Sequence, residues 1–227
     1  MEIETFDKDI LRIEKELLEF SKKGLKIFLT SSFQTHSIPL LHLISRLNVK
    51  VDIYFINTGF HFVETHNFKD TISKQFKINI KSIESPISKI NQTDKKGFFY
   101  YTSDTNYCCH LNKVLPTEKL LDKYDVWISG VRKDQNSFRK DLSKVEATPN
   151  GKLRYHPILD WNSKKIFNYR KKYNLPSHPL EEKGYFSIGC QPCTVSIKNM
   201  IDDQNREGRW VGQNKTECGL HTNLIKK

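Results

Sequence analysis

Apolar residues recur at two spacings along the chain, and these spacings predict alternating helices and strands. Apolar positions three and four residues apart predict helices at residues 7–23, 36–48, 64–76 and 162–173. Short apolar runs predict strands at residues 25–30, 51–56 and 125–130, and a weaker one at 78–83. Strands that alternate with helices are typical of a doubly wound, mostly parallel α/β sheet. We therefore expect an α/β domain over residues 1–200, followed by a C-terminal tail over residues 201–227.

The composition changes this picture mainly through its charge. The 227 residues are 37% hydrophobic and carry a formal net charge of +11. Three explanations of that charge remain open: nucleic-acid binding, a basic pocket for a small polyanion, and lysine-rich faces in contact with solvent. The lysines are scattered along the whole chain, which argues against a nucleic-acid partner. No apolar run reaches membrane-spanning length, and the acidic, amphipathic N-terminus differs from a secretory signal, so we expect a cytoplasmic protein without a membrane partner.

Three polar loops follow predicted strands. They read SSFQTHS at residues 31–37, NTGFHF at 57–62 and GVRKDQ at 130–135. In a doubly wound sheet, ligands bind beyond the carboxyl ends of the strands, where backbone N–H groups and hydroxyls can meet an anion. An ordinary polar turn would explain any one of these loops, whereas three on one edge favour an anion of nucleotide size. The candidate contacts in the first two loops are Ser31, Ser32, Phe33, Gln34, Thr58 and Gly59.

Four of the five cysteines form two pairs. Cys108 and Cys109 are adjacent, and Cys190 and Cys193 form a C-x-x-C motif. In a cytosolic chain, clustered thiols indicate a metal or a redox function more often than structural disulfides. Zinc bound by four cysteines usually takes two spaced pairs, which adjacent cysteines fit poorly. An iron–sulfur cluster presents several iron corners and accommodates them better, so the spacing favours a cluster without excluding zinc.

Several stretches occur together in an order that identifies a family resemblance. They are YCCHLNKVLP, WISGVRKDQ, GYFSIGCQPCT, REGRW and ECGLH. In this order they resemble the assimilatory sulfonucleotide reductases, and more narrowly the bacterial adenosine 5′-phosphosulfate reductases, from about residue 25 to the end. The resemblance implies a sheet of the adenine nucleotide alpha hydrolase (PP-loop-like) type with a mobile C-terminal tail.

The resemblance also implies a reaction. Such enzymes reduce adenosine 5′-phosphosulfate to sulfite and AMP in sulfate assimilation and cysteine biosynthesis, with thioredoxin or a glutaredoxin-like protein as electron donor. By family analogy, Cys218 is the nucleophile and forms an S-sulfocysteine intermediate. One [4Fe–4S] cluster per chain would be held by Cys108, Cys109, Cys190 and Cys193, with an electrostatic and structural role. Because the tail around Cys218 is polar, we expect it to be exposed and unstructured before substrate binds.

Positively charged residues in the family motifs are implied to contact the phosphosulfate. Guanidinium and ammonium groups suit sulfate and phosphate oxygens, and they lower the pKa of a nearby thiol. The candidates are Lys113, Arg132, Arg206, Arg209 and His221.

The first loop and the cysteines favour different substrates. SSFQTHS lacks the glycines and the acid of the pyrophosphate-gripping loop of related ATP pyrophosphatases, which argues against a nucleotide-binding tRNA-modification enzyme. Its S-S-F pattern is similar to that of cluster-free enzymes that use 3′-phosphoadenosine 5′-phosphosulfate, whereas the cysteines favour the substrate without the 3′-phosphate. An enzyme for the phosphorylated substrate, or for both, therefore remains an alternative. A basic nucleic-acid-binding protein with a structural zinc site is a remote one, and a homo-oligomer is compatible with the sequence.

Overall fold

The computed structural model describes residues 6–197, 208–213, 215, 217–222 and 224. Its helices are Asp7–Lys22 (α1), Ile38–Ser45 (α2), Val63–Phe76 (α3), Tyr100–Ser103 (α4), Thr105–Cys109 (α5), Leu115–Leu121 (α6), Ser137–Lys140 (α7), Ser163–Lys172 (α8) and Gly219–Thr222 (α9). Its strands are Ile27–Thr30 (β1), Asp52–Asn57 (β2), Ile80–Glu84 (β3), Val126–Ser129 (β4), Val145–Ala147 (β5) and Leu153–Tyr155 (β6).

The described strands form one mixed sheet in the order β3-β2-β1-β4-β6-β5. Neighbouring strands are parallel except β5 and β6, which pair antiparallel. The chain runs outward from β1 through β2 to β3, and then returns to place β4 on the other side of β1. This reversal between β1 and β4 is the topological switch point, where the loops after the two strands diverge and leave a crevice. The doubly wound, mostly parallel fold predicted from the sequence is confirmed.

The eight elements predicted from apolar spacing are all present, with small shifts at their ends. The sequence pattern missed β5 and β6, because each is only three residues long and polar residues interrupt its apolar positions. It also missed the helical stretch α4–α6. Within that stretch, a π-helical turn at His110–Val114 joins α5 to α6. Pro116 has no N–H to bond the carbonyl of Asn112, and its ring crowds that carbonyl, which accounts for a wider turn at this point.

The sheet carries a different apolar layer on each face. On β1, Ile27 and Leu29 belong to one cluster and Phe28 to the other, because successive side chains of a strand point to opposite faces. The larger cluster is covered by α1, α2, α3 and α8. The second contains Phe28, Trp127 and the buried cysteines.

The C-terminal tail packs on the second layer, so the expectation of an exposed, unstructured tail is wrong for its described residues. Trp210, Leu220 and Leu224 are buried with Phe28 and Trp127, and only 6% of Cys218 is exposed. These three apolar side chains are separated by polar residues, so their shared burial is not visible as a pattern in the sequence. Apolar burial of this kind supplies the free energy that holds the segment against the domain.

None of the helices in the described ranges is long and apolar enough to cross a membrane.

Candidate active site

A cavity of about 180 Å³ opens at the switch point of the sheet. The loop after β1 contributes Ser31, Ser32 and Gln34 to its wall, and the loop after β4 contributes Gly130 and Arg132. The predicted residues that line it are Ser31, Ser32, Gln34, Lys113, Arg132, Arg209, Cys218 and His221. The structure therefore brings the predicted nucleophile, its predicted cations and two loops suited to a nucleotide to one place.

Phe33 was predicted to contact substrate, but its side chain lies outside this cavity. Its ring is fully buried in the larger apolar layer against Phe55, and it does not line the cavity. The backbone of Phe33 has a φ of 55°, which turns the side chain inward while the flanking serines remain at the cavity. The Ser31 hydroxyl accepts the Phe33 N–H at 3.2 Å and stabilises this turn.

Thr58 and Gly59, two further predicted contacts, are not among the residues that line this cavity. Thr58 lines a smaller cavity beside the cysteine pairs, and its hydroxyl lies 3.2 Å from Cys190 Sγ. His61, from the same loop, lines the substrate-sized cavity instead. Burial and the neighbouring Lys113 lower the pKa of His61 to about 3, so its ring is neutral at physiological pH.

Arg132 presents a guanidinium that is held on one side only. Its Nε donates to Asp134 at 2.9 Å and its Nη2 donates to Ser163 at 3.2 Å. Nη1 is buried without a hydrogen-bond partner among the described residues. A buried donor that lacks a partner is costly, and here it belongs to a residue of the cavity wall. This arrangement suits an anion that supplies the missing acceptor.

Arg209 is held in part by a backbone carbonyl. Its Nε donates to the carbonyl of Cys193 at 3.0 Å, and its guanidinium lies 4.6 Å from the centre of the Trp210 ring. The planar guanidinium group of Arg209 packs against Gly189, where a Cβ atom would overlap it. Arg209 is therefore a contact residue of a folded segment, which differs from the exposed position expected for it. Arg206 lies outside the described residues.

His221 is oriented by a residue that the sequence did not indicate. The guanidinium of Arg154, fully buried over the Trp127 ring, donates to His221 Nδ1. Burial and the nearby Arg139 lower the pKa of Arg154 to about 9, which still leaves it charged at neutral pH. Because a guanidinium only donates, Nδ1 must accept, and the ring hydrogen is on Nε2. His221 thus enters the cavity wall as a neutral donor.

Cys218 is the cysteine whose surroundings favour the thiolate. A hydrogen bond from the Cys109 thiol lowers the pKa of Cys218 well below its usual value, with further help from Lys113, the Leu220 N–H and Arg209, although burial opposes them. The contributions of Lys113, Leu220 and Arg209 do not depend on Cys109 carrying a proton. The thiolate is the nucleophilic form of cysteine.

Cys108, Cys109 and Cys193 differ from Cys218 in the direction of their pKa shift. Burial raises the pKa of Cys108 to about 11 and also raises the pKa of Cys193, while the hydrogen bond to Cys218 and burial raise that of Cys109. All four cysteines line the smaller cavity, and none is in a disulfide. In the described part of the chain, no three His, Cys, Asp or Glu side chains converge on a single metal-ion position.

Lys113 connects the two cavities, since it lines both. It lies on the π-helical turn that follows Cys109. Burial acts to lower the pKa of Lys113, but the negative charge of Cys190, Cys218 and Cys109 outweighs it and raises the pKa. A cation at this position can act on both the nucleophile and the cysteine pairs.

Glu217, Arg139 and Gln135 are functional candidates that the sequence did not identify individually. Glu217 stands beside Cys218 in the E-C-G-L-H motif, and Gln135 is the last residue of the GVRKDQ loop, so both positions carried an indication. Arg139 lies on α7, a four-residue helix that the apolar pattern does not reveal. Both Arg139 and Gln135 line the substrate-sized cavity.

Comparison with known proteins places the chain in a family. A family model described as a phosphoadenosine phosphosulfate reductase domain matches residues 26–196. A protein named adenosine 5′-phosphosulfate reductase from Bacillus cytotoxicus is 36% identical over 198 residues, which cover 86% of this chain and 84% of that protein. Adenosine 5′-phosphosulfate reductase 2 from Bacillus subtilis is 35% identical over 217 residues, covering 94% of this chain and 91% of that protein.

Solved structures support the same fold. A phosphoadenylyl-sulfate reductase from Candida auris aligns with a TM-score of 0.66 at 21% identity, over 86% of this chain and 98% of that chain. An FMN adenylyltransferase from Candida glabrata aligns with a TM-score of 0.59 at 17% identity, over 97% of this chain and 74% of that chain. At these identities the structural likeness shows the fold alone. The family model and the sequence relatives go further, and they show that this chain belongs to the phosphoadenosine phosphosulfate reductase family, as its motifs predicted.

Proposed function

We propose that this protein reduces adenosine 5′-phosphosulfate to sulfite and AMP in cytoplasmic sulfate assimilation, with Cys218 as the nucleophile. The observation that carries the proposal is that Cys218 lies on the same cavity wall as Lys113, Arg132 and Arg209. A thiolate that approaches a sulfate group meets like charge, and these cations offset it. The loops of the switch point are suited to the nucleotide part of the substrate.

In the first half-reaction, the Cys218 thiolate attacks the sulfur of the sulfate group. A sulfur–sulfur bond forms, the bond from that sulfur to the phosphate oxygen breaks, and AMP leaves with the electron pair. Arg132 and Arg209 stabilise the negative charge on the phosphosulfate oxygens as it shifts towards AMP. The Nε2 hydrogen of His221 provides a further donor. The product on the enzyme is Cys218–S–SO₃⁻.

In the second half-reaction, a dithiol protein of the thioredoxin class releases sulfite. One of its thiolates attacks Cys218 Sγ, sulfite leaves, and a mixed disulfide forms. Its second thiol resolves that disulfide, so the donor is oxidised by two electrons and Cys218 is restored as a thiolate. Cys218 is only 6% exposed, so this step requires the segment around Cys218 to move away from the domain.

We also propose that Cys108, Cys109, Cys190 and Cys193 hold a [4Fe–4S] cluster. Their donor chemistry fits, because four thiols from two distant segments surround one cavity and none forms a disulfide. A cluster takes one thiolate on each iron, so the four side chains need not converge on a single ion. When bound, the cluster would supply structural linkage and local charge. Lys113, which lines both cavities, is the residue placed to transmit that charge to Cys218.

The choice of substrate rests on the relatives and the cysteines. The S-S-F pattern is similar to that of enzymes for the 3′-phosphorylated nucleotide; its two serines line the cavity, whereas Phe33 is buried away from it. Relatives at 36% and 35% identity are named for the substrate without the 3′-phosphate. We therefore favour adenosine 5′-phosphosulfate over the phosphorylated compound.

The proposal is tested by measuring sulfite release from each of the two sulfonucleotides, with and without thioredoxin, and by iron analysis of protein purified without oxygen. We expect thioredoxin-dependent sulfite from adenosine 5′-phosphosulfate and about four irons per chain. A preference for the 3′-phosphorylated substrate would correct the substrate. Sulfite from neither compound, or an active protein that contains zinc and no iron, would overturn the corresponding part of the proposal.

A further inference from the structure

We propose that Glu217 and Arg139 form a latch that positions Cys218 in the cavity. The latch joins the tail to α7 beside the substrate cavity, and it makes Glu217 a positioning residue for the first half-reaction. This inference rests on the proposed function, since it concerns the same nucleophile.

Glu217 is buried and its carboxylate is surrounded by donors. Arg139 donates to it twice, from Nε at 2.7 Å and from Nη2 at 3.0 Å. Asn136 Nδ2 donates at 2.8 Å, and the backbone N–H of Cys218 donates at 2.8 Å. The last bond fixes the peptide that carries the nucleophile relative to the ion pair. Only 7% of Glu217 is exposed, so water cannot easily replace these donors.

An ion pair of this kind fixes the relative orientation of its two side chains. A forked guanidinium and a carboxylate form parallel, charge-assisted hydrogen bonds that require one relative orientation. When a buried pair is broken by removing one partner, the remaining charge stays buried without compensation, and the cost is large. The neighbouring apolar side chains Trp210, Leu220 and Leu224 attach the tail to the domain, but apolar contact is non-directional. The ion pair therefore supplies the orientation.

Arg139 also connects the latch to the substrate cavity. Its Nη1 donates to Gln135 Oε1, which accepts the backbone N–H of Arg132 at 3.0 Å. Arg132, Gln135 and Arg139 all line the cavity, whereas Glu217 does not. The side chain of Gln135 therefore joins Arg132, a candidate anion contact, to the latch. Glu217 acts through the placement of Cys218 and touches neither substrate nor the reacting sulfur.

The latch has opposite consequences for the two half-reactions. Attack on the sulfate group needs Cys218 held in the cavity, and loss of the latch should slow it. Release of sulfite needs the tail to leave, and loss of the latch should leave this step unchanged or make it faster. A side chain that only stabilises the fold would not separate the two steps in this way.

The test compares Glu217→Gln with wild type in three measurements on the full chain. The matched control is Asp160→Asn, which removes a carboxylate from an exposed pair with Lys133. The first measurement is the rate at which iodoacetamide labels Cys218 without nucleotide, read by peptide mass. The second is the single-turnover rate of adduct formation on Cys218 from adenosine 5′-phosphosulfate. The third is the rate at which thioredoxin removes a preformed adduct.

We expect Glu217→Gln to speed labelling of Cys218 and to slow adduct formation, each by roughly tenfold to a hundredfold. Adduct removal should be no slower than in wild type, and Asp160→Asn should match wild type throughout. Arg139→Gln should reproduce the effect, and the double variant should be no worse than either single one. If Glu217→Gln fails to fold, Glu217→Asp, which keeps the charge but retracts it by one methylene, should show the same pattern.

Wild-type labelling and adduct rates in these variants would overturn the latch, as would equal slowing of both half-reactions. A wild-type protein that forms no adduct would contradict the proposed function instead. In that case the labelling rates still decide whether Glu217 holds Cys218 in place.

Discussion

At the scale of single residues, a hydrogen bond distinguishes Cys218 from the other cysteines. The bond from Cys109 lowers the pKa of Cys218, with help from Lys113 and Arg209, whereas burial raises the pKa values of Cys108 and Cys193. The E-C-G-L-H motif alone indicates Cys218 as the candidate nucleophile, and that assignment stays a prediction. The sequence motifs did not predict that the Phe33 side chain turns inward, because a positive φ at a single residue produces no periodic pattern in the sequence.

The partly unpaired guanidinium of Arg132 leads to a prediction about the substrate anion. Arg132→Lys keeps the charge but loses the fork that bonds Asp134, Ser163 and the anion, so kcat/KM for sulfite production should fall roughly 100-fold. Lys133→Ala removes an exposed charge from the same loop and should change kcat/KM less than about twofold. Steady-state kinetics on both variants checks this. An Arg132→Lys enzyme within twofold of wild type would show that the guanidinium does not bind the phosphosulfate.

At the scale of elements, the longer helices and strands follow from apolar spacing, but the short ones do not. Arg139 lies on α7 and Arg154 lies on β6, and both elements are too short to show a periodic pattern of apolar residues. The π-helical turn that holds Lys113 is likewise a local response to Pro116, within a stretch whose helices were not predicted at all. Residues on such elements become visible as site residues only when the tertiary structure brings them beside the cavity.

The Arg209 guanidinium packs against Gly189, so adding a methyl group at residue 189 should displace it. Gly189→Ala would place a Cβ in the space of the Arg209 guanidinium, so the guanidinium must move from the cavity wall. We expect kcat/KM to fall about tenfold or more, in the range found when a preorganised donor is lost. The same change made in an Arg209→Ala background should add little, because nothing remains to displace. Additive losses measured in the double variant would contradict this explanation.

At the scale of the whole molecule, the tail completes the second apolar layer and closes the cavity at the same time. The sequence predicted the fold because alternating elements restrict the sheet topology. It did not predict the burial of Cys218, since Trp210, Leu220 and Leu224 are spread over a polar segment and meet only on the Phe28–Trp127 face. In the proposed mechanism, this buried position of Cys218 suits the first half-reaction, and the second requires Cys218 to become accessible.

Buried histidines predict how the stability of the whole fold depends on pH. Burial lowers the pKa of His156 to about 3 and those of His178 and His42 to about 4. In the unfolded chain these rings bind protons below about pH 6.5. Their contribution to stability is therefore complete above pH 6.5 and is lost as the pH falls from 6.5 towards 4 for His178 and His42, and towards 3 for His156.

Denaturant unfolding at a series of pH values measures this dependence. The fully buried His156 alone should contribute a slope of about 1.4 kcal/mol per pH unit below pH 6. His156→Asn, which cannot gain a proton, should be less stable at pH 7.5 through lost packing and should show a slope shallower by that amount. An unchanged slope in this variant would mean that His156 is protonated equally in the folded and unfolded chains.

If Cys218 carries the sulfonate group between the two half-reactions, peptide mass spectrometry should detect that group on its sulfur. Incubation with adenosine 5′-phosphosulfate in the absence of thioredoxin should add SO₃, about 80 Da, to the peptide that contains Cys218. Thioredoxin should then remove the adduct and release one sulfite per modified chain. Cys218→Ser should form no adduct, because a serine hydroxyl is a far weaker nucleophile, and it should keep its iron. An adduct on Cys190 or Cys193, or sulfite production by Cys218→Ser, would contradict the account.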